Sequence, residues 1–240
     1  MVMANSEKIG AKKEIQSQKK DNIVTKTVTF FNKYQKIVYG ILIGLMVVIL
    51  AILAFNKFYL KPKNERGAAL IVKPIEYYSR GFQMGDTASF NLALEGDDEN
   101  EGFIDIASGY KMTKVGNSAK YFAGLCYLQM GEKQDALDYF LKFRKKENVY
   151  WYNCQALIGD IYDDEGDSEN AIKYYKKAVK GDNPYFTPNN LFKLAQMYER
   201  NDNWESALEA YQRIESEFYQ QYQLMGIDRY LERAKINASK

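Results

Sequence analysis

The 240-residue chain contains no histidine, only two cysteines and only four prolines. Because histidine is the commonest general base and metal ligand, its absence removes most catalytic and metal-binding arrangements. The sequence also lacks a glycine-rich phosphate-binding loop and the Gly-x-Ser-x-Gly motif of hydrolases. We therefore expect no enzymatic activity, no cofactor and no metal site.

The two cysteines, Cys126 and Cys154, both fall among apolar residues of predicted helices. An oxidising compartment would allow a disulfide between them, but two buried free thiols are the expected arrangement. Cysteine usage therefore does not decide the compartment.

Two acidic segments, residues 97–101 and 163–169, are candidates for calcium ligands. In the second segment, Gly166 is the fourth residue counted from Asp163, whereas an EF-hand loop needs its turn glycine at the sixth position. A turn between two helices already accounts for Gly166. We interpret both segments as solvated loops.

Residues 37–56 contain no charged side chain and are almost all aliphatic. Twenty helical residues span about 30 Å, the thickness of the hydrocarbon core of a bilayer. A cleaved signal peptide would have a shorter apolar region followed by a small-residue cleavage site, and a buried core helix would show a polar face. The sequence therefore predicts one uncleaved transmembrane helix over residues 37–57, in which Gly40 and Gly44 offer a small-residue face for helix packing.

Close to this apolar run, the number of basic residues is the same on its two sides. The lysines farther out in the N-terminal arm make the N-terminal side the more basic one. The full count favours a cytoplasmic N-terminus and a C-terminal domain on the outer side of the membrane. Residues 58–240 hold 24 of the 33 basic and 28 of the 31 acidic residues, so this part of the chain is mildly acidic. Nucleic acid, which requires a basic surface, is not an expected partner.

Five positions recur three times with the same order of residue types: a small residue, tyrosine, a turn residue, alanine and an aromatic residue. The copies are Gly124, Tyr127, Gly131, Ala136 and Phe140; Gly159, Tyr162, Gly166, Ala171 and Tyr175; and Ala195, Tyr198, Asp202, Ala207 and Tyr211. A period of about 34 residues, with small residues where two helices approach, is typical of helix–turn–helix repeats that stack into a solenoid. The pattern resembles the tetratricopeptide repeat, which implies a groove that binds other proteins.

The sequence thus predicts an all-α architecture: a basic arm (1–36), the transmembrane helix, a divergent helical repeat with an acidic loop (58–116), three tetratricopeptide repeats (117–220) and a capping helix (221–240). First helices are expected near 117–130, 150–164 and 188–200, and second helices near 133–145, 168–180 and 203–217. The capping helix is expected to run from Tyr222 to Ala238 with Leu224, Ile227, Tyr230, Leu231 and Ala234 facing inward.

In such a solenoid the first helices line a concave groove. The positions expected there are Tyr121, Leu125 and Leu128 in the first repeat, Asn153, Ala156, Asp160, Asp163 and Asp164 in the second, and Asn189, Phe192, Gln196, Glu199 and Arg200 in the third. With solvent-directed carboxylates in its middle, this groove would suit polypeptide with hydrophobic and basic residues, and it lacks the cations of a carboxylate clamp. The alternative is that the N-terminal helices or the capping helix cover part of it.

The layout as a whole resembles the YfgM family, in particular the YfgM-like proteins of Bacteroidetes, through segments 30–36, 90–97 and 116–124. This resemblance implies a bacterial inner-membrane protein with a periplasmic domain. It also implies an ancillary subunit of the SecYEG translocon that works with a PpiD-like periplasmic chaperone on client polypeptides. Two alternatives remain: a structural scaffold of a secretion or division complex, and an organelle import receptor, which the lysine-rich arm fits poorly.

Overall fold

The computed structural model describes Thr25, residues 33–144 and residues 148–240. It divides the chain into two units, Met1–Tyr59 and Leu60–Lys240, and each is described by itself. Most of the predicted basic arm, and the start of the segment 30–36, lie outside the described residues.

In the first unit, residues 33–55 form helix α1. One π-helical turn, Asn56–Leu60, follows in the chain and includes the first residue of the second unit. Every residue of α1 from Tyr39 to Phe55 is exposed. An apolar surface of this size is unfavourable in water and favourable in lipid. Within the described residues, one helical segment is long and apolar enough to cross a membrane, which is compatible with the predicted span.

The second unit begins with four helices: α2 (Lys61–Leu70), α3 (Val72–Met84), α4 (Thr87–Glu95) and α5 (Phe103–Gly109). Helices α2 and α3 are separated at Ile71, because Pro74 has no N–H to donate to the Leu70 carbonyl. Asp86 caps α4 by accepting hydrogen bonds from the backbone N–H groups of Ala88 and Ser89. Helix α3 packs against α4, and both α4 and α5 pack against the helix Lys114–Gln129 that follows α5.

Three helix pairs follow. The first helices are α6 (Lys114–Gln129), α8 (Val149–Asp164) and α10 (Thr187–Arg200), and the second helices are α7 (Lys133–Lys142), α9 (Ser168–Ala178) and α11 (Trp204–Glu217). The two helices of each pair pack together, α7 packs against α8, and α9 packs against α10. The helix ranges agree with the predicted ones to within about three residues at each end, in line with the usual uncertainty of helix boundaries.

The turn inside each repeat requires a left-handed backbone conformation. It is provided by Gly131 (φ 81°), Gly166 (φ 78°) and Asp202 (φ 54°), which are the three turn residues of the sequence pattern. Glycine adopts this conformation without strain, and aspartate is among the few other residues that tolerate it. The recurring turn residue of the pattern therefore has a backbone role.

The C-terminal end differs from the prediction in one respect. Instead of a single helix there are two, α12 (Tyr219–Met225) and α13 (Asp228–Ala238), because Gly226 adopts a left-handed conformation (φ 61°) and ends α12. Leu224, which was expected to face inward, is 83% exposed. The four other predicted inward residues lie in or against the core, and α13 packs against α11.

The core of the second unit consists of three clusters that follow the chain. The N-terminal cluster includes Phe90, Phe103 and Ile106, the middle cluster Phe140 and Ile158, and the C-terminal cluster Tyr211 and Leu231. Outside loops, the described residues are helical except for one isolated β-bridge between Gly96 and Glu101. The predicted all-α solenoid fold is confirmed.

Candidate protein-binding surface

The first helices are held in place by contacts between small and aromatic residues inside each repeat. A Cβ atom built on Gly124 in α6 would lie 2.6 Å from Cε1 of Phe140 in α7, so only glycine allows this approach. In the third repeat Ala195 and Tyr211 occupy the corresponding positions, and both are fully buried. These contacts fix which side of α6, α8 and α10 is available to a partner.

Tyr121, predicted at the apolar end of the groove, is a buried link between repeats. Its hydroxyl accepts a hydrogen bond of 2.7 Å from Nδ2 of Asn153, and its ring packs at 5.5–5.6 Å from the rings of Phe143 and Tyr150. Burial raises the pKa of Tyr121 to about 12. Tyr121 and Asn153 thus connect α6 to α8, and only the exposed edge of this ring, 6% of its residue surface, is left for a partner.

Three other apolar positions of the predicted groove are also largely engaged in packing. Leu125 and Leu128 are partly buried against the middle core cluster, and Ala156 is 3% exposed. The apolar end of the groove therefore offers less free surface than the sequence suggested.

Asp160 in the second repeat makes three hydrogen bonds. Its carboxylate accepts from Nζ of Lys193 at 2.6 and 2.8 Å and from the hydroxyl of Tyr175 at 2.7 Å. Burial, followed by the hydrogen bond to Asp160, raises the pKa of Tyr175. Asp160 thereby joins α8 to α9 and α10.

The neighbouring carboxylates are paired as well. Asp163 accepts from Nη2 of Arg200 at 2.8 Å, and this hydrogen bond raises the pKa of Arg200. Asp164 accepts from Nζ of Lys133 at 2.8 Å. The expectation that these carboxylates point into solvent is wrong for Asp160 and Asp163, which are partly buried against cations of the adjacent helix, whereas Asp164 is exposed and its ion pair with Lys133 lies at the surface. The acidic strip is neutralised within the protein.

In the third repeat, helix α13 contacts two of the predicted groove positions, Phe192 and Glu199. The ring of Phe192 packs edge-on against Tyr230 with centroids 4.9 Å apart, and Glu199 accepts hydrogen bonds from the guanidinium of Arg233. Gln196 is half-buried, whereas Asn189 and Arg200 are exposed. At this end of the solenoid, the C-terminal helix covers part of the groove, as the alternative interpretation of the sequence expected.

An open cavity of about 530 Å³ lies at the other end, over α6. We call it the first-repeat cavity. Its apolar walls are formed by Ala68, Ile71, Ile75, Val115, Tyr121, Phe122, Phe143 and Tyr150. Its polar edge consists of Lys114, Asn117, Ser118 and Asn148. None of these residues is acidic, and the volume lies within the range of ligand-binding pockets in proteins.

Five cations, which we call the basic rim, lie on α6, at the end of α7 or directly beside these helices in the chain: Lys111, Lys114, Lys120, Lys142 and Arg144. Lys114 lines the cavity, and the backbone N–H of Arg144 donates a 2.8 Å hydrogen bond to the Asn117 side chain on the cavity edge. Burial, together with the charges of Arg144, Lys142 and Lys111, lowers the pKa of Lys120. A nearby like charge disfavours the protonated form of a lysine, so the positive charges of these three neighbours act on Lys120 in addition to its burial.

The basic rim is poorly compensated. Among residues 33–144 and 148–240, no carboxylate forms an ion pair with Lys111, Lys114, Lys120 or Arg144, and the Lys142–Asp138 pair is long at 3.7 Å. This surface was not predicted from the sequence, because residues 58–116 were interpreted as a separate repeat and not as a wall beside α6. The four-residue spacing of Ile71 and Ile75 was the available signal of an apolar helix face beside α6.

The acidic segments predicted as solvated loops were also candidates for calcium ligands. Asp97 accepts hydrogen bonds from the Tyr77 hydroxyl, from the Asn100 side chain and from the backbone N–H groups of Glu99 and Asn100, which hold its pKa well below the usual range. In the described part of the chain, no group of three or more His, Cys, Asp or Glu side chains could hold a metal ion.

Cys126 and Cys154 are buried and free, and burial raises the pKa of the Cys126 thiol to about 12. A thiol with so high a pKa is unreactive at neutral pH.

Comparison with protein-family models gives three matches, all described as tetratricopeptide repeat. They cover residues 119–147, 152–183 and 190–218, which are the three repeats of the sequence pattern. No curated protein matches the chain. The tetratricopeptide-repeat resemblance is therefore confirmed, while the narrower resemblance to the YfgM family stays a prediction.

Among solved structures, the chain is similar to two crystal structures of MamA. In both the identity is 15%; the TM-scores are 0.47 and 0.45. The matches cover 72% and 68% of this chain and 90% and 94% of the MamA chains.

Proposed function

We propose that this protein is a single-pass membrane protein whose tetratricopeptide-repeat domain binds other proteins on the outer side of the bacterial inner membrane. The observation that carries the proposal is the open first-repeat cavity on a repeat solenoid, a fold that presents grooves to polypeptides. The apolar helix 33–55, with its exposed side chains, supports the membrane anchor.

The more specific part of the proposal is a role beside the SecYEG translocon, together with a PpiD-like chaperone, in binding emerging client polypeptides. Its support is the layout of basic arm, apolar helix and repeat domain, which resembles the YfgM family. A fold alone does not identify a partner. The function must therefore be tested by identifying what contacts the cavity in the membrane.

Site-specific photo-crosslinking tests the function. A photoreactive amino acid is placed at Ser118 or Tyr150, both exposed on the cavity, and in a control at Glu209, which is exposed on α11. We expect cavity positions to capture translocon subunits, a periplasmic chaperone and nascent proteins, identified by mass spectrometry, and the control position to capture few of them. Capture of one stoichiometric envelope protein from the control position alone would instead indicate a scaffold.

Topology is tested separately. Protease added to spheroplasts is expected to digest residues 64–240 and to spare the arm, because a long domain after the anchor crosses largely regardless of its charge. A domain that stays intact until the spheroplasts are lysed would place it in the cytoplasm and would contradict the outer-side location.

A further inference from the structure

On the groove-facing side of this solenoid, carboxylates and cations differ in whether they are paired within the protein. In the second and third repeats, the carboxylates of Asp160, Asp163 and Glu199 are paired with Lys193, Arg200 and Arg233. Beside the first-repeat cavity, four cations of the basic rim, Lys111, Lys114, Lys120 and Arg144, form no ion pair with a carboxylate among the described residues. Among the described residues, the uncompensated charge on this side is thus positive, although the residues of the groove suggest the opposite.

This charge lies next to an apolar surface. Ile75 of α3 and Val115, Tyr121 and Phe122 of α6 line the cavity, and Lys114 lines the same cavity from the first turn of α6. Lys120 lies six residues after Lys114 on α6, and the backbone of Arg144 is hydrogen-bonded to the Asn117 side chain on the cavity edge. A ligand that fills the cavity with apolar side chains would bring its flanking residues to these cations.

Resting on the protein-binding function proposed above, we infer that the first-repeat cavity receives a short apolar segment of a partner polypeptide that is flanked by Asp or Glu residues. The apolar side chains supply burial, and the flanking carboxylates supply complementarity to Lys114, Lys120 and Arg144. The sequence also predicted a partner with hydrophobic residues, but with basic residues in place of the acidic ones inferred here. The lysine-rich arm of the same chain is excluded as the occupant because its charge has the wrong sign.

Selection from a random library tests the sign of the charge without assuming a particular ligand. The full-length protein in lipid nanodiscs is used to select from a phage-displayed library of random dodecapeptides. We expect the enriched peptides to combine two or more large apolar residues with a net negative charge. Enrichment of basic peptides, or no enrichment over empty nanodiscs, would overturn the inference.

Charge reversal provides the matched control. The double variant Lys114→Glu with Lys120→Glu should weaken the binding of an enriched acidic peptide about tenfold or more. Lys114 is exposed and Lys120 is half-buried, so the melting temperature of the double variant is measured to check that it folds. The control variant Lys173→Glu with Lys180→Glu makes the same charge change near α9, away from the cavity lining, and should bind as the native protein does. Equal weakening in both variants would show a nonspecific field effect and would reject the cavity as the site.

A second copy of this chain is the competing occupant, because its own acidic loop 97–101 also carries carboxylates. In that case sedimentation of the native protein in detergent would show a concentration-dependent dimer, and the double variant would remain a monomer. Such a result would overturn the inference. If basic peptides are selected while the crosslinking experiment still captures proteins at Ser118, protein binding stands and only the charge preference fails.

Discussion

The ring of Tyr175 packs directly on the backbone of Gly159. A Cβ atom built on Gly159 would lie 2.9 Å from both Cδ1 and Cε1 of this ring, closer than real Cβ contacts allow. Tyr175 is 1% exposed, and its hydroxyl donates to Asp160, the residue after Gly159. The contact therefore holds α8 against α9 and at the same time orients one carboxylate of the predicted groove.

The first prediction concerns this contact. Gly159→Leu should lower the free energy of unfolding by about 1–3 kcal/mol, because the added side chain overpacks a buried interface. Gly109→Leu is the matched control, since a Cβ at Gly109 meets nothing within 4 Å, and it should change stability by less than about 0.5 kcal/mol. Urea unfolding of the full-length variants in detergent measures both. Equal stabilities would contradict the repeat register.

The second prediction concerns Asp160. Asp160→Ala should destabilise the protein by about 1–2 kcal/mol, because it removes an ion pair with Lys193 and leaves the buried Tyr175 hydroxyl without its acceptor. Asp164→Ala removes a more exposed pair with Lys133 and should cost less than about 0.5 kcal/mol. If the two variants melt at the same temperature, Asp160 does not link the repeats as described.

The repeat pattern was predictable because each of its positions has a local physical reason. Small residues mark close helix approaches, and Gly131, Gly166 and Asp202 mark left-handed turns, so the spacing alone located six helices. The partners of the groove residues were not predictable in this way. Asp160 and Lys193 lie 33 residues apart, and only the stacking of one repeat on the next brings them together.

The C-terminal helices show the same limit. Ile227, Leu231 and Ala234 follow a helical period and are buried, but Leu224 belongs to a different helix because Gly226 interrupts the backbone. Periodicity does not reveal whether a glycine stays helical or turns left-handed. The first-repeat cavity was missed for a related reason, since the position of α3 beside α6 depends on contacts between residues distant in sequence.

The third prediction compares two leucines of this region. Leu231→Ala should lower the free energy of unfolding by about 2–4 kcal/mol, because Leu231 is 2% exposed in the C-terminal core cluster. Leu224→Ala has the same chemistry at a site that is 83% exposed and should be nearly neutral. A larger effect at Leu224 would mean that the sequence-based single capping helix was right and the two-helix arrangement wrong.

The last prediction is a pH dependence that arises from Tyr121. Burial raises the pKa of Tyr121 from 10.0 to about 12, so the folded protein keeps a proton that the unfolded chain loses. The resulting stabilisation is complete below pH 10 and is lost as the pH rises toward 12. When the pH rises from 8 to 11.5, the free energy of unfolding of the native protein should therefore fall by about 2 kcal/mol more than that of Tyr121→Phe. Tyr185→Phe is the control, because Tyr185 is 72% exposed, and it should follow the native pH curve in urea unfolding. If Tyr121→Phe follows that curve too, the Tyr121 hydroxyl is not the buried link between α6 and α8.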